Sequence, residues 1–344
     1  MKSVAELAHQ FFVSLQLRVA IEVDRDALGC WMHLLFRRQH EAKFLSSFEK
    51  LGLTGLPHAV ACARYHALSN AMGGVAVEYH EESAQKAWVR FRYPRWIHDG
   101  PALAAMPPEA GRGFLTGWYA QNGVSLGNPR LGYVCVSEDV SGYGLCGYFV
   151  EEAYDLSEDA RLRFAPGEVP PPFDPADQPR PPAADWDAAR LAKAERNYAA
   201  EYLRNGLPTL GEVLGQERMR QIALPAARLT GLQCWRKVVD AAGGEDGGPE
   251  GVAAVLAQLF AAAGDRVTLD GAQIETADMR LVRGMDAPAR DDILAVWVEM
   301  IRGIVHGHRA RMTLDVALHD HGATWQIGLA DRPGMTPPQR KDPV

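Results

Sequence analysis

Two stretches far apart in the chain close in the same way. LTGWYAQNGVSLG leads into a strand beginning at Leu131, a turn and GYFV; LAVWVEMIRGIVHG leads into a strand beginning at Met312, a turn and WQIGL. In each, a helical tryptophan (Trp118, Trp297) precedes two glycines four apart (Gly123 and Gly127; Gly303 and Gly307), and a β-hairpin follows. Helix, tryptophan, glycine pair and hairpin recurring together point to an internal duplication, which restricts the chain to folds that build one block twice. The competing reading is two unrelated α+β units that share common punctuation.

The spacing of apolar residues fills in each block. Helical periodicity runs through residues 1–60, and Pro57 opens a further helix, HAVACARYHALSNAM, stopped by Gly73-Gly74. Period-two alternation predicts strands at 75–80 and 87–93, a helix at 109–126, and strands at 131–136 and 145–150. The second block predicts helices at 209–223, 225–242 and 250–263, strands at 266–269 and 279–283, a helix from 288, and strands at 312–318 and 324–329. Between the blocks, residues 165–182 hold eight prolines, which reads as an extended connector able to drape over the surface. A helix capped by Asp185 and ended by Gly206 and Pro208 follows it. The expected fold is therefore α+β: two tandem copies of a helices–hairpin–helix–hairpin unit with small antiparallel sheets, joined by a Pro-rich connector. The expected divisions are 1–164, the connector and linking helix 165–205, 206–330, and a tail 331–344.

A length of 344 residues suits two such units. The formal charge of −7 argues against a nucleic-acid partner, which needs cations along a phosphate backbone. No run approaches the roughly 18 apolar residues of a membrane helix, and the N-terminal apolar pattern, broken by Glu6, His9 and Arg18, lacks the order of a signal peptide. Five scattered cysteines, an odd number, suggest reduced thiols and a cytoplasmic location. A homo-oligomer is compatible with all of this.

Walker-type GxxxxGK[ST], HExxH and CxxC motifs are missing, so candidate sites come from looser groupings. Alternation puts Glu78 and His80 on one face of their strand, and Trp88, Arg90 and Arg92 on one face of the next. If those faces coincide, the arginines could clamp a substrate carboxylate while His80 or Glu78 moves protons; ordinary cross-strand ion pairing is the alternative. On the preceding helix, which also carries Arg64 and Tyr65, His66 and Asn70 share a face among small apolar neighbours. They serve either a ligand or a neighbouring loop. Trp96, Trp118, Tyr119, Asn122, Asn128, Tyr133, Tyr143, Tyr148 and Phe149 form an aromatic and amide group suited to a ring ligand or to a packed core. Cys135 and Cys146 fall on the two strands of one hairpin near Glu138, as buried hydrophobes or with Cys135 as a nucleophile. In the second copy His306, His308, His319 and His321 read as surface histidines or a metal site, and the polar set of the first copy has no counterpart.

The GQERMRQIALPAARLTGLQ helix pair and the W…G…G…hairpin ending resemble the superfamily of the four-vinyl-reductase domain, the TRAPP tethering subunits and the input domains of phenol-sensing activators. Within it, the L-2-amino-thiazoline-4-carboxylate hydrolase family is the most similar. The resemblance implies an apolar pocket between helices and a small sheet. It also implies a zinc held by hairpin cysteines, here Cys135 and Cys146, although structural zinc wants four ligands and two more are not in sight. No other cofactor is expected. The expected function is a small-molecule enzyme, a hydrolase acting on a small carboxylated ring or amidine-like substrate in a pocket of the first copy. Its catalytic candidates are His66, Glu78, His80 and Cys135; Asn70, Trp88, Arg90, Arg92, Trp118 and Asn122 would hold the substrate. The alternatives are a non-catalytic aromatic or haem sensor and a tethering protein that uses the proline-rich segment as an adaptor.

Overall fold

The computed structural model describes residues 2–92, 106–138, 144–182, 186–244, 247–309, 311–319 and 322–330. Asp24 starts the first helical layer: its carboxylate accepts the Ala27 N–H at 2.6 Å and caps α2 (Arg25–Lys43), which follows α1 (Lys2–Glu22). The helix α3 (His58–Met72) is rich in small residues and buries most of its length against a sheet. That sheet contains β1 (Val77–Ser83), β2 (Lys86–Phe91), β3 (Leu131–Ser137), β4 (Cys146–Glu151) and β5 (Leu162–Phe164), in the order β1-β2-β4-β3-β5. Its strands pair antiparallel except β5, which runs parallel to β3. Between the hairpins lie α4 (Pro108–Gly117) and the short α5 (Asn122–Ser125).

The second half opens with α6 (Ala188–Arg204), α7 (Gly206–Leu214), α8 (Gln216–Ala241) and α9 (Pro249–Ala263). The strands β6 (Arg266–Asp270) and β7 (Gln273–Ala277) precede α10 (Ala289–His308), and β8 (Met312–His319) and β9 (Gly322–Leu329) follow it. This sheet has the order β6-β7-β9-β8, the same arrangement as the four antiparallel strands of the first.

Glycine lets helix backbones touch in both halves. A Cβ on Gly113 of α4 would stand 2.4 Å from the Gly29 carbonyl oxygen of α2; one on Gly231 of α8 would stand 2.0 Å from the Met300 oxygen of α10. The halves share one continuous apolar core. Phe12 of α1 stacks on Tyr202 of α6 at 4.3 Å, and the Trp31 indole N–H donates to the Gly206 oxygen (2.9 Å) and Thr209 Oγ1 (3.2 Å).

The connector lies against the first sheet. Gln178 accepts the Tyr79 N–H (2.8 Å) and donates to the Tyr79 oxygen (3.0 Å), so its amide pairs with the edge strand β1 as a neighbouring strand would. Phe173 sits 4.6 Å from the Arg90 guanidinium and joins Trp88, Val134, Val136 and Cys146 in a small second core on the sheet's outer face.

Several expected elements are placed differently. Residues 209–242 form α7 and one long α8 with Pro225 inside it; proline forfeits one backbone bond there, while Ala223, Ala226 and Ala227 around it are fully packed. The expected strand at 279–283 is a short 3-10 turn, Arg280–Val282, and the strand is β7, which buries Ile274 and Thr276. The expected helix at 109–126 breaks at Trp118 into α4, a 3-10 turn and α5. The cap of α6 is Asp187, accepting the Arg190 N–H at 2.7 Å; Asp185 lies outside the described residues.

Candidate functional site

A cavity of about 520 Å³ lies between α2, α3 and α6. Its floor is aromatic, made by Phe36, Tyr65, His66, Phe114 and Trp118, and its roof is Trp186, Tyr198 and Tyr202 around α6. The roof is fastened at both ends. The Trp186 N–H donates to the Lys50 oxygen at 3.0 Å, and Tyr198 Oη donates to Asn70 Oδ1 at 3.4 Å. Burial, with Tyr198 nearby, pushes the Tyr65 phenol above its ordinary range, which keeps that wall neutral.

The mouth is charged. Lys43 and Lys50 come from the end of α2 and the turn after it, Arg190 and Lys193 from the first turns of α6. Among the described lining residues the one carboxylate is Glu201, already 3.1 Å from Lys43. The Arg190 guanidinium carbon lies 4.5 Å from the centre of the Trp186 ring.

Trp118 is only 9% exposed and its indole N–H has no acceptor among the described residues. A buried donor left unsatisfied costs about 1–3 kcal/mol. Behind the floor, Asn122 Nδ2 donates to His66 Nε2 (3.0 Å), and the imidazole stacks on Phe149 (5.4 Å) and packs tilted against Tyr119 (3.9 Å).

Three of the expected residues, His66, Asn70 and Trp118, therefore line this cavity, and Asn122 supports His66 from behind. The charged hairpin does assemble on one face: Glu78 accepts from Arg90 Nε at 2.7 Å and lies 3.8 Å from Arg92, with His80 paired opposite Trp88. That face is the outer one. Tyr79, Ala87, Val89 and Phe91 point inward to the main core under α3, so alternation sends Glu78, His80, Trp88, Arg90 and Arg92 to the other side of the sheet from His66. They meet the connector, not the cavity, and the two expected half-sites are separated.

Cys135 and Cys146 also part company. The first belongs to the main core and the second to the outer one, and burial raises each thiol to about 12, with the Glu138 charge adding to Cys135. Burial thus favours the protonated thiol at both positions, and the two side chains lie in different cores of the sheet. His306 and His308 lie two apart on α10, where side chains diverge; His308 packs on Trp235 at 5.5 Å, and His319 stands on β8, 3.7 Å from Glu275. Among the described residues no three histidine, cysteine or acidic side chains converge as a metal site. Trp96, Tyr143 and His321 lie outside the described residues.

The roof escapes sequence reasoning because α6 reads as a spacer. Its signal is the set Trp186, Tyr198 and Tyr202, aromatic residues that a solvated linking helix has no reason to carry. A second missed pattern is Gly123-Val124-Ser125-Leu126-Gly127, a G-x-S-x-G run whose Ser125 Oγ lies 2.8 Å from His40 Nε2. Compared with known proteins, the chain matches no family model, no curated protein and no solved structure.

Proposed function

We propose that the protein binds a small organic anion with a flat apolar body, seated in the cavity under α6 with its acidic end at the cationic mouth. The observation that carries this reading is the pairing, among the described residues, of an aromatic interior whose Trp118 N–H finds no acceptor with a mouth lined by four cations and one paired carboxylate. The volume is that of a small-molecule site, about 300–1,000 Å³ in general. A ligand acceptor at the indole nitrogen would relieve the buried donor.

Titration with naphthoate, followed by tryptophan fluorescence, is expected to give saturable one-site quenching. Ala194→Trp fills the cavity from the α6 side and should abolish it while the melting temperature is retained; Trp118→Phe should weaken it. Unchanged binding in the Ala194→Trp protein would remove the cavity as the site.

Hydrolysis is the second reading, in line with the resemblance to the thiazoline-carboxylate hydrolases, and the Ser125–His40 contact favours it. Two features stand against it. His40 Nδ1 is buried and has no acceptor among the described residues to orient the ring, and burial together with Arg37 holds the imidazole down at about 4. A fluorophosphonate that labels the protein but not its Ser125→Ala variant would support a serine hydrolase; no labelling would leave binding as the function.

A further inference from the structure

We propose that β8 pairs with β8 of a second molecule of this chain, antiparallel and about a two-fold axis at Val316, which joins two four-stranded sheets into one. The other sheet edges are protected. In the first sheet β1 bulges between Glu81 and Ser83 and takes the Gln178 amide, and β5 runs beside β3. In the second, β6 is a short strand with Arg266 and Asp270 at its ends. β8 holds the place that β3 has in the first sheet, and among the described residues no strand lies on its outer side. It pairs with β9 from Met312 to His319 without a register shift, and it contains neither proline nor lysine. A long regular edge of this kind is a template for another strand.

The direction of the backbone groups sets the register. The Ile327 N–H donates to the Ala272 oxygen beside β7 at 3.0 Å, and the Ala330 N–H to the Arg311 oxygen beside β8 at 2.8 Å. Bonding direction alternates along a strand, so the odd-numbered residues of β9 serve β7 and the even-numbered ones β8. Leu314, Val316 and Leu318 stand opposite Ile327, Trp325 and Ala323, and their own N–H and C=O groups therefore point to the open edge. With the axis at Val316 these groups meet their equals: Leu314 exchanges hydrogen bonds with the partner's Leu318, and Val316 with the partner's Val316. Leu318, 50% exposed, gains an apolar neighbour on the core side of the sheet. On the other side the exposed Asp315 stands opposite Ala317, and Thr313 opposite His319, so no like charges are opposed. An axis one residue away, at Asp315, would set two aspartates against each other and call on backbone groups already bonded to β9.

Sedimentation equilibrium of the full chain is expected to show a dimer with a roughly micromolar Kd, the weak end of the range for a small interface made by one strand from each side. Ala317→Asp, at an exposed position, sets a carboxylate against the partner's Asp315 on both sides of the axis and should raise that Kd about tenfold. Adding Asp315→Ala to the same chain removes the repulsion and should restore the original Kd. Ala317→Lys, which places a cation opposite Asp315, should tighten the dimer about threefold. A chain that stays monomeric at about 0.1 mM would overturn the pairing, leaving the edge to the chain's own residues 331–344 or to a strand of another protein. A dimer indifferent to all three changes would overturn it as well, by placing the contact elsewhere on the surface.

Discussion

His40 is packed between α2 and α5, stacked on Phe44 at 4.7 Å and hydrogen-bonded to Ser125. Burial, with Arg37 adding repulsion, lowers its pKa from 6.5 to about 4. The unfolded chain takes up this proton first as the pH falls. Neutral His40 therefore stabilises the fold fully above about pH 6.5, and that contribution is lost between 6.5 and 4. His33 and His306 are shifted in the same direction, chiefly by burial. Asp265, raised by burial to about 6, acts oppositely: its penalty is present above pH 6 and is relieved as the pH falls towards 3.8. Because the two contributions oppose each other, the measurement is the difference between proteins: in urea unfolding from pH 7.5 to 4.5 the wild type should lose on the order of 2 kcal/mol relative to His40→Gln. An equal pH dependence in the two proteins would assign it elsewhere.

Among the elements, the helix crossings are the most exacting. At Gly231 a methyl group would strike the Met300 carbonyl, and neither backbone can retreat because the approach is reciprocal: a Cβ on Gly303 would stand 2.2 Å from the Arg228 oxygen. Gly231→Ala should destabilise by about 2 kcal/mol despite the better helix propensity of alanine. Gly111→Ala on α4 meets nothing within 4 Å and should stabilise by up to about 1 kcal/mol. Denaturant unfolding of the two variants reads both signs. Most elements were legible because their signals are local. Period-two alternation located β1 and β2, and Gly73-Gly74 marked the end of α3. The misplacement of β7 has a local cause as well. Met279–Arg283 alternates, but the Asp270-Gly271 turn, with Gly271 at φ 56°, sets a hairpin that pairs Leu269 with Ile274 and uses up the next five residues. The cavity was half legible. Its floor sits on one helix face and could be read from His66 and Asn70, whereas its roof is brought in from residues 186–202 by packing that no local pattern encodes. The outer cluster of Glu78 and Arg90 failed as a site for a different reason: alternation gives which residues share a face, not which face the helices cover.

At the scale of the molecule, α1 crosses into the second half to pack on α8, α7 packs on α2, and one core runs through both. Heat unfolding is expected as a single transition, with calorimetric and van't Hoff enthalpies in agreement and fluorescence and circular dichroism coincident. Two resolved transitions would show that the halves are held together more weakly than their shared core implies. The position of the roof has a consequence for synthesis. The aromatic floor of the cavity is complete once Trp118 has been made, but Trp186, Tyr198 and Tyr202 come some 70 residues later. At about 5–20 residues per second, the nascent chain carries that surface uncovered for several seconds, together with an α1 whose partner α8 has yet to be translated. Yield in a cell will then follow the supply of chaperones at the ribosome more closely than the stability of the finished protein.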